Sequence, residues 1–345
     1  MGFTEVRNVL LWKTKQNAGE YTVKRSLVGG QAVLEGVMMK TPAGGIALAV
    51  RKSDGSITKE FRSIPSKAKK GTFLGLPIVR GVVVFVESLV TGMKITTRSA
   101  ELYGEDIEEE PTKFEIWLSE KLGKSAMDVA MAVAVVLAIA LAVGLFVLLP
   151  TLAVQLIPWG DQTANIWKSL TEGVVRLGIF LLYIFSIGFL KDIGRLYQYH
   201  GAEHKVIDCY EHEAEMTVEN AVKYSRLHPR CGTNYLFLVM AISILFFALL
   251  PYSTNFLIRF LTRIIFLPLV AGISYEVLRA AASSDGWLAR AVRAPGLALQ
   301  RLTTREPDPE MLEVALEAFQ MAMDPPDHDI IVETEKREEK AEKET

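Results

Sequence analysis

The chain has 345 residues, half of them hydrophobic, with 38 basic and 40 acidic side chains and a formal net charge of −2. That length allows two domains, and a positive mean hydropathy carried by unevenly spread apolar runs points to an integral membrane protein with a soluble portion. A near-neutral charge without a basic stripe interleaved with aromatics argues against nucleic acid as a partner.

Residues 1–16 have too short an apolar run and no small-residue cleavage site, so no removable signal peptide is expected. Residues 1–71 read as a small cytosolic module, β or α+β. Within it, residues 28–39 form a glycine-flanked apolar segment, and residues 46–51 and 57–61 are expected hairpin strands joined around Ser53-Asp54-Gly55-Ser56. The pair Gly29-Gly30 reads as a tight turn beside a strand, because no Lys-Ser/Thr follows to complete a phosphate-cradling loop. Residues 72–125 are expected to hold a buried or interfacial helix and an acidic linker. The apolar stretch 73–95 carries Arg80 and Glu87, and a charge at bilayer centre costs about 2.5–3.5 kcal/mol. Its core, residues 82–90, is well short of the ~20 residues a span needs. The linker, Glu105-Asp106-Ile107-Glu108-Glu109-Glu110-Pro111, closes the module.

Residues 126–280 read as a membrane α-helical bundle of four transmembrane helices, at 129–149, 174–190, 235–250 and 256–275. Arg259 and Arg263 in the fourth must snorkel or face protein. Lysine and arginine crowd the residues before the first span, the 191–233 loop and the residues after the fourth span. The 159–173 loop holds only Lys168. The positive-inside rule therefore predicts a multi-pass protein of the cell membrane with both termini and the 191–233 loop in the cytoplasm, where Cys209 and Cys231 stay reduced and available as thiolates. Beyond the spans, residues 287–302 look like a membrane-surface stretch and 311–323 like a short amphipathic helix, so 281–325 is expected to hold interfacial and amphipathic helices. Residues 326–345 end in alternating acid and base and are expected to be disordered.

Chemistry concentrates in the 191–233 loop, which contains four of the five histidines and both cysteines. In Tyr199-His200-Gly201-Ala202-Glu203-His204, a helix would set His200 and His204 one turn apart on one face, an arrangement that lets two imidazoles reach one metal ion. The order His-x-x-Glu-His is the inverted form of the zinc-peptidase signature, in which the Glu, here Glu203, is general base on a metal-bound water. The plainer alternative is an amphipathic helix on a membrane surface whose histidines only hydrogen-bond to neighbours. A third ligand has two sources. Glu276 would lie at the cytosolic end of the fourth span, although an i,i+3 pair with Arg279 explains it equally well. His228 or Cys231, in His228-Pro229-Arg230-Cys231-Gly232, could come in instead, and a set of three histidines and one cysteine would be tetrahedral and structural.

Four blocks together resemble the YqhQ family of bacterial integral-membrane proteins: residues 29–39, residues 199–205, His228-Pro229-Arg230-Cys231-Gly232-Thr233, and Pro295-Gly296-Leu297 with Gln300, Thr303-Thr304 and Glu306-Pro307. The resemblance runs from about residue 25 to 320 and implies a membrane protein of a family of unknown function often described as metal-dependent enzymes. Two functions follow. One is a zinc-dependent hydrolase at the cytosolic membrane face, with a peptide or lipid-derived ester as substrate. The other is a non-catalytic biogenesis or transport-assembly factor, with a structural metal or hydrogen-bond site and a protein partner docked on the amino-terminal module. A transporter would need paired broken helices or repeats, which the sequence lacks.

Overall fold

The computed structural model describes residues 12–13, 24–25, 28–41, 44–69, 71–104, 126–159, 165–229, 231–250, 253, 255–284 and 286–333. The acidic linker from Glu105, Arg230, the tail beyond Glu333 and most of the amino-terminal segment weighed as a signal peptide lie outside them. Two compact units divide the chain. The first comprises Met1–Ile107, Phe185–Leu238 and Ala271–Thr345, the second Glu108–Ile184 and Val239–Val270.

Strands β1 (Trp12–Lys13) and β2 (Lys24–Arg25) pair with each other. Strands β3 (Gly29–Val33), β4 (Gly36–Lys40), β5 (Gly45–Arg51), β6 (Ile57–Ser63) and β7 (Ile330–Glu333) form an antiparallel sheet in that spatial order. The first helices are α1 (Val79–Gly104), α2 (Ala126–Val143), α3 (Leu149–Gln155), α4 (Asn165–Ile187) and α5 (Lys191–Glu211). They are followed by α6 (Val218–Ala221), α7 (Gly232–Ala248), α8 (Phe256–Ala282), α9 (Trp287–Thr303) and α10 (Pro309–Met323).

In the first unit both faces of the sheet are covered. Val37, Met39, Ala47, Ala49 and Phe61 pack against Tyr199, Ala202 and Val206 of α5 and Leu312, Ala315 and Phe319 of α10. On the opposite face, Met38, Ile46, Leu48 and Val50 pack against Ile95 and Leu102 of α1. Burial on both sides explains why β4 and β5 read as unbroken small and apolar runs, since a strand with one wet face would alternate. The hairpin expected around residues 53–56 is β5–β6, where Gly55 takes φ +88° and Asp54 Oδ1 accepts the Ser56 N–H at 2.9 Å. The β3–β4 turn has only Leu34 and Glu35 between the paired Val33 and Gly36, and Glu35 adopts φ +48°, the left-handed conformation that such short hairpins demand.

The helix expected to be buried or interfacial over 73–95 runs from Val79 to Gly104, and its second half covers the sheet, because Ile95, Ser99 and Leu102 recur at helical spacing. The helix expected around the histidines runs from Lys191 to Glu211 and packs into the core. The amphipathic helix expected over 311–323 runs from Pro309 to Met323, with Leu312, Val314, Ala315 and Ala318 fully buried against the sheet and α5. Residues 330–333, placed in a disordered tail, pair with β6, Phe61 opposite Ile330 and Thr58 opposite Glu333. Strand β6 would otherwise expose its backbone donors and acceptors, and Ile330-Ile331-Val332 supplies β-branched residues to cap that edge.

The apolar helices also differ from the four-span expectation. Among the described residues, three helices are long and apolar enough to cross a membrane: Val136–Gln155, Asn165–Ile187 and Leu257–Ala282. The expected third span is a helix of 17 residues, Gly232–Ala248, at the short end of the length that crosses a membrane. The first continues past Pro150 through a π turn, Gly144–Leu148. Its wider spacing fits a proline that lacks an N–H at the start of the next segment.

Because Leu312 has no exposed surface between α10 and the sheet, Leu312→Ala is expected to lower stability by about 2–5 kcal/mol. Thermal unfolding of the full chain in detergent checks this as a lowered midpoint.

Candidate metal centre

Helix α5 starts after Leu190, which is extended, and ends at His212, followed by Glu213 at φ +57°. Every residue from Gly201 to Ile207 is buried, so at this level the helix is enclosed on all sides. Two glycines make that possible. A Cβ on Gly201 would strike the carbonyl oxygen of Arg305, and one on Gly30 of β3 would lie 2.8 Å from the Glu203 carboxyl carbon and 2.7 Å from Met38 O. Glu35, at the tip of the β3–β4 hairpin, accepts two bonds of 2.5 Å from the Arg195 guanidinium and one of 3.2 Å from Tyr199 OH. The hairpin is thereby fastened to the helix one turn before the histidines.

His200, His204 and Cys231 bring one donor atom each to within 4.8 Å of one another. His200 Nδ1 lies 2.9 Å from Thr303 O, and His204 Nδ1 lies 2.6 Å from Arg226 O. A backbone carbonyl only accepts, so both Nδ1 atoms carry the proton, and both Nε2 atoms present lone pairs. This is the tautomer and the outer-shell contact that metal-ligating histidines have. His200 Nε2 is 3.1 Å from Cys231 Sγ, near the roughly 3.5 Å edge between nitrogen and sulfur in a zinc tetrahedron. His204 is 0% exposed, and its Nε2 makes no hydrogen bond. Burial holds its pKa below the usual histidine range, a shift that Cys231 partly offsets, so the neutral, ligand-competent ring is favoured. Donor types and tautomers make this a possible group for a metal ion.

Glu203 is 3% exposed, bonded by the Gly30 N–H, and its Oε2 has no partner. Burial pushes its carboxyl above the ordinary range, while His200 and His228 pull it back in part. His228 stays outside the three-donor group. Its backbone N–H donates to Gln300 Oε1 and its carbonyl accepts from Gln300 Nε2, both at 2.8 Å, and its ring Nε2 is 3.4 Å from Glu211 Oε2. Glu276 is not brought to the histidines either. Its carboxylate accepts from Arg80, with Nε to Oε1 at 2.6 Å, and the Arg279 charge, at the i,i+3 spacing, acts on it more weakly. Cys209 is buried with its thiol toward Glu215 O, apart from Cys231, and both are free thiols.

The residues that sequence reasoning missed are the positioning ones. Thr303 ends α9, where the last carbonyls lack helical partners and so can take the His200 N–H. Arg226 offers its carbonyl to His204 and donates from Nη1 to Thr304 O and Oγ1, both at 2.7 Å. Buried Lys205 reaches the carbonyls of Val222 and Tyr224 at 2.8 Å and Glu306 at 3.0 Å. The Gln300, Thr303-Thr304 and Glu306-Pro307 block was their only signal in the sequence.

The two adjacent glycines of β3 give a matched test. Gly30→Ala is expected to cost about 1–3 kcal/mol through the clash with Glu203 and the strand backbone. Gly29→Ala meets nothing within 4 Å and should leave the unfolding midpoint nearly unchanged.

Comparison with known proteins places this arrangement. A family model described as "Protein of unknown function (DUF1385)" matches residues 76–325. The chain is 35% identical over 302 residues to "Uncharacterized protein YqhQ" of Bacillus subtilis (strain 168), covering 84% of this chain and 90% of the relative. No solved structure matches. The chain therefore belongs to the YqhQ family of DUF1385 proteins.

Proposed function

We propose that the chain is a membrane-anchored hydrolase that uses a divalent metal, zinc in the first instance, held by His200, His204 and Cys231. One observation carries this reading: three donors converge with their tautomers set, while His228 is held off by Gln300 and Glu211. Three protein ligands and one open position characterise catalytic zinc, whereas four protein ligands characterise structural zinc. A bound ion would supply Lewis acidity and acidify a coordinated water. Glu203 would take the proton. It follows His200 by three residues on the same helix, and its Oε2 makes no hydrogen bond that would have to break first. Gly30 N–H holds the other end of the role, orienting the carboxylate from the sheet side. The substrate class is an acyl compound, peptide or lipid-derived ester.

The complete burial of His204 favours a second reading, in which the ion only pins α5 to the segments at Arg226 and Thr303 in an assembly factor that docks a partner on its β module. The two readings diverge on variants. Full-length protein purified without chelator is expected to hold about one zinc per chain, lost in His204→Ala and Cys231→Ala and kept in His228→Ala and Glu203→Gln. Glu203→Gln should nonetheless fail to complement a deletion strain, since an amide keeps the shape and cannot accept a proton. Zinc loss in His228→Ala as complete as in His204→Ala would assign a closed structural site, and protein without any metal would remove both readings.

The lysine and arginine asymmetry supports a cell-membrane protein with both termini and the metal centre on the cytosolic side. Cysteine-accessibility labelling in whole cells is expected to find both termini protected from an impermeant reagent and the 156–164 loop accessible. The reverse pattern would move the site outside and end the cytosolic assignment.

A further inference from the structure

The first half of α1 and the turn that leads into it carry an apolar surface that the metal centre does not use. A short helical turn, Phe73–Gly75, precedes α1. Phe73 is 73% exposed, and Leu74, Leu76 and Ile78 are exposed after it. On α1, Val86, Leu89, Val90 and Met93 are exposed and recur at helical spacing, so they form one stripe. Arg80 and Glu87, the charges that argue against a crossing, are both engaged inside the chain. Arg80 ion-pairs with Glu276 of α8, and Glu87 accepts from Ser66 Oγ and from the Lys67 N–H, each at 2.7 Å. The contact with Glu87 brings Ser66 and Lys67 beside α1 more than two turns from its start, so the chain reverses at a tip, Phe73–Ile78.

The tip is seated on α8. A Cβ added to Gly81 would lie 2.9 Å from Gly272 Cα and 2.8 Å from Tyr275 Cβ, and one added to Gly272 would lie 2.5 Å from Ile78 Cγ2. Ile78 takes φ +69°, a costly conformation for a β-branched residue, and Glu276 Oε1 accepts its N–H at 3.4 Å. Depth follows from the length of α8, a helix long and apolar enough to cross a membrane. Its 27 residues rise about 40 Å against a hydrocarbon core of ~30 Å, so about 10 Å at most, or roughly seven residues, stands outside at this end. Gly272 is roughly ten residues and about 15 Å before the end at Ala282, which puts the tip inside the hydrocarbon of a membrane that α8 crosses. Backbone at that depth has to be satisfied from within the chain. The N–H groups of Thr72, Gly75, Leu76, Ile78, Val79 and Arg80 all find acceptors there. Lys67 and Lys69 before the tip and Lys94 just past Met93 are exposed, a pattern that meets anionic headgroups where an apolar element enters a leaflet. We infer that the turn Phe73–Gly75 and the exposed stripe of α1 form a re-entrant element in one leaflet of the bilayer that α8 crosses, with phospholipid acyl chains against Phe73, Leu76 and Val90.

The test puts a thiol-reactive NBD fluorophore on the full chain in nanodiscs of phosphatidylcholine and phosphatidylglycerol, one site at a time, and compares quenching by doxyl-labelled phosphatidylcholine with quenching by aqueous iodide. The labelled parent chain is run in parallel to subtract the signal of Cys209 and Cys231. Phe73→Cys and Leu76→Cys replace exposed side chains, so neither opens the core, and each is expected to lose most of its fluorescence to the doxyl lipid and little to iodide. Ile265→Cys, exposed near the middle of α8, should behave the same way, and Ser53→Cys, exposed in the β5–β6 turn, the opposite way. Lipid quenching at Ile265→Cys, with Phe73→Cys and Leu76→Cys following Ser53→Cys, would overturn the re-entrant element and leave α8 a span. Iodide quenching at Ile265→Cys as well would remove the span together with the element. Shielding of positions 73 and 76 from both quenchers would give the surface to a protein neighbour, such as a second copy of this chain, and so reject the lipid assignment.

Discussion

The buried course of α5 is the constraint on which the first unit depends. From Gly201 to Ile207 no side chain has a free outward direction, so Tyr199, Ala202 and Val206 spend their surface on the sheet and α10. Glu203, His204 and Lys205 must then find polar partners inside. Lys205 finds three, in two carbonyls and Glu306. His204 finds one for Nδ1 and none for Nε2, and Glu203 is bonded by Gly30 with Oε2 left over. Orphaned buried polar atoms are uncommon in native structures because each costs on the order of 1–3 kcal/mol. Two of them, on adjacent residues, lie beside the Cys231 thiol, where the possible metal-binding group forms.

The backbone does the selecting around this centre. Carbonyls from two distant segments, at Arg226 and at Thr303, each take one imidazole N–H and so turn both rings to present Nε2. The same two segments are tied together, since the Arg226 guanidinium binds Thr304, and Gln300 clamps the backbone of His228 two residues further on. That clamp separates the proposed open centre from a closed one, because it holds the fourth candidate ligand where its ring meets Glu211. A chain reading that counts histidines cannot see it.

The carboxy-terminal segment is equally part of the fold. Helix α10 supplies the layer that covers α5 and the sheet, and β7 closes the β6 edge. Arg51 and Lys59 of the sheet meet Glu313 and Glu317 of α10 at 2.9 and 2.7 Å, charges that lie at the rim of that contact. These partly exposed pairs add register more than stability. The apolar interior of the contact, with Leu312, Ala315 and Phe319, carries the energy.

By itself the sequence determined whatever local chemistry dictates. Apolar length marked two of the three long helices closely, apolar runs and turn residues marked β5, β6 and the hairpin at Gly55, and the four-residue spacing of His200 and His204 put both on one helical face. It also confined the candidate ligands to a short list that contained all three members of the observed group. Choosing among them was beyond it. Glu276 and His228 were as eligible as Cys231 by composition, and it is tertiary structure that bonds the first to Arg80 and the backbone of the second to Gln300. Strand β7 was missed for the same reason, since a short apolar run does not say which strand edge it covers. Tertiary structure decided those points because burial, carbonyl partners and strand edges belong to pairs of segments up to hundreds of residues apart, and no window along the chain contains both members of the pair.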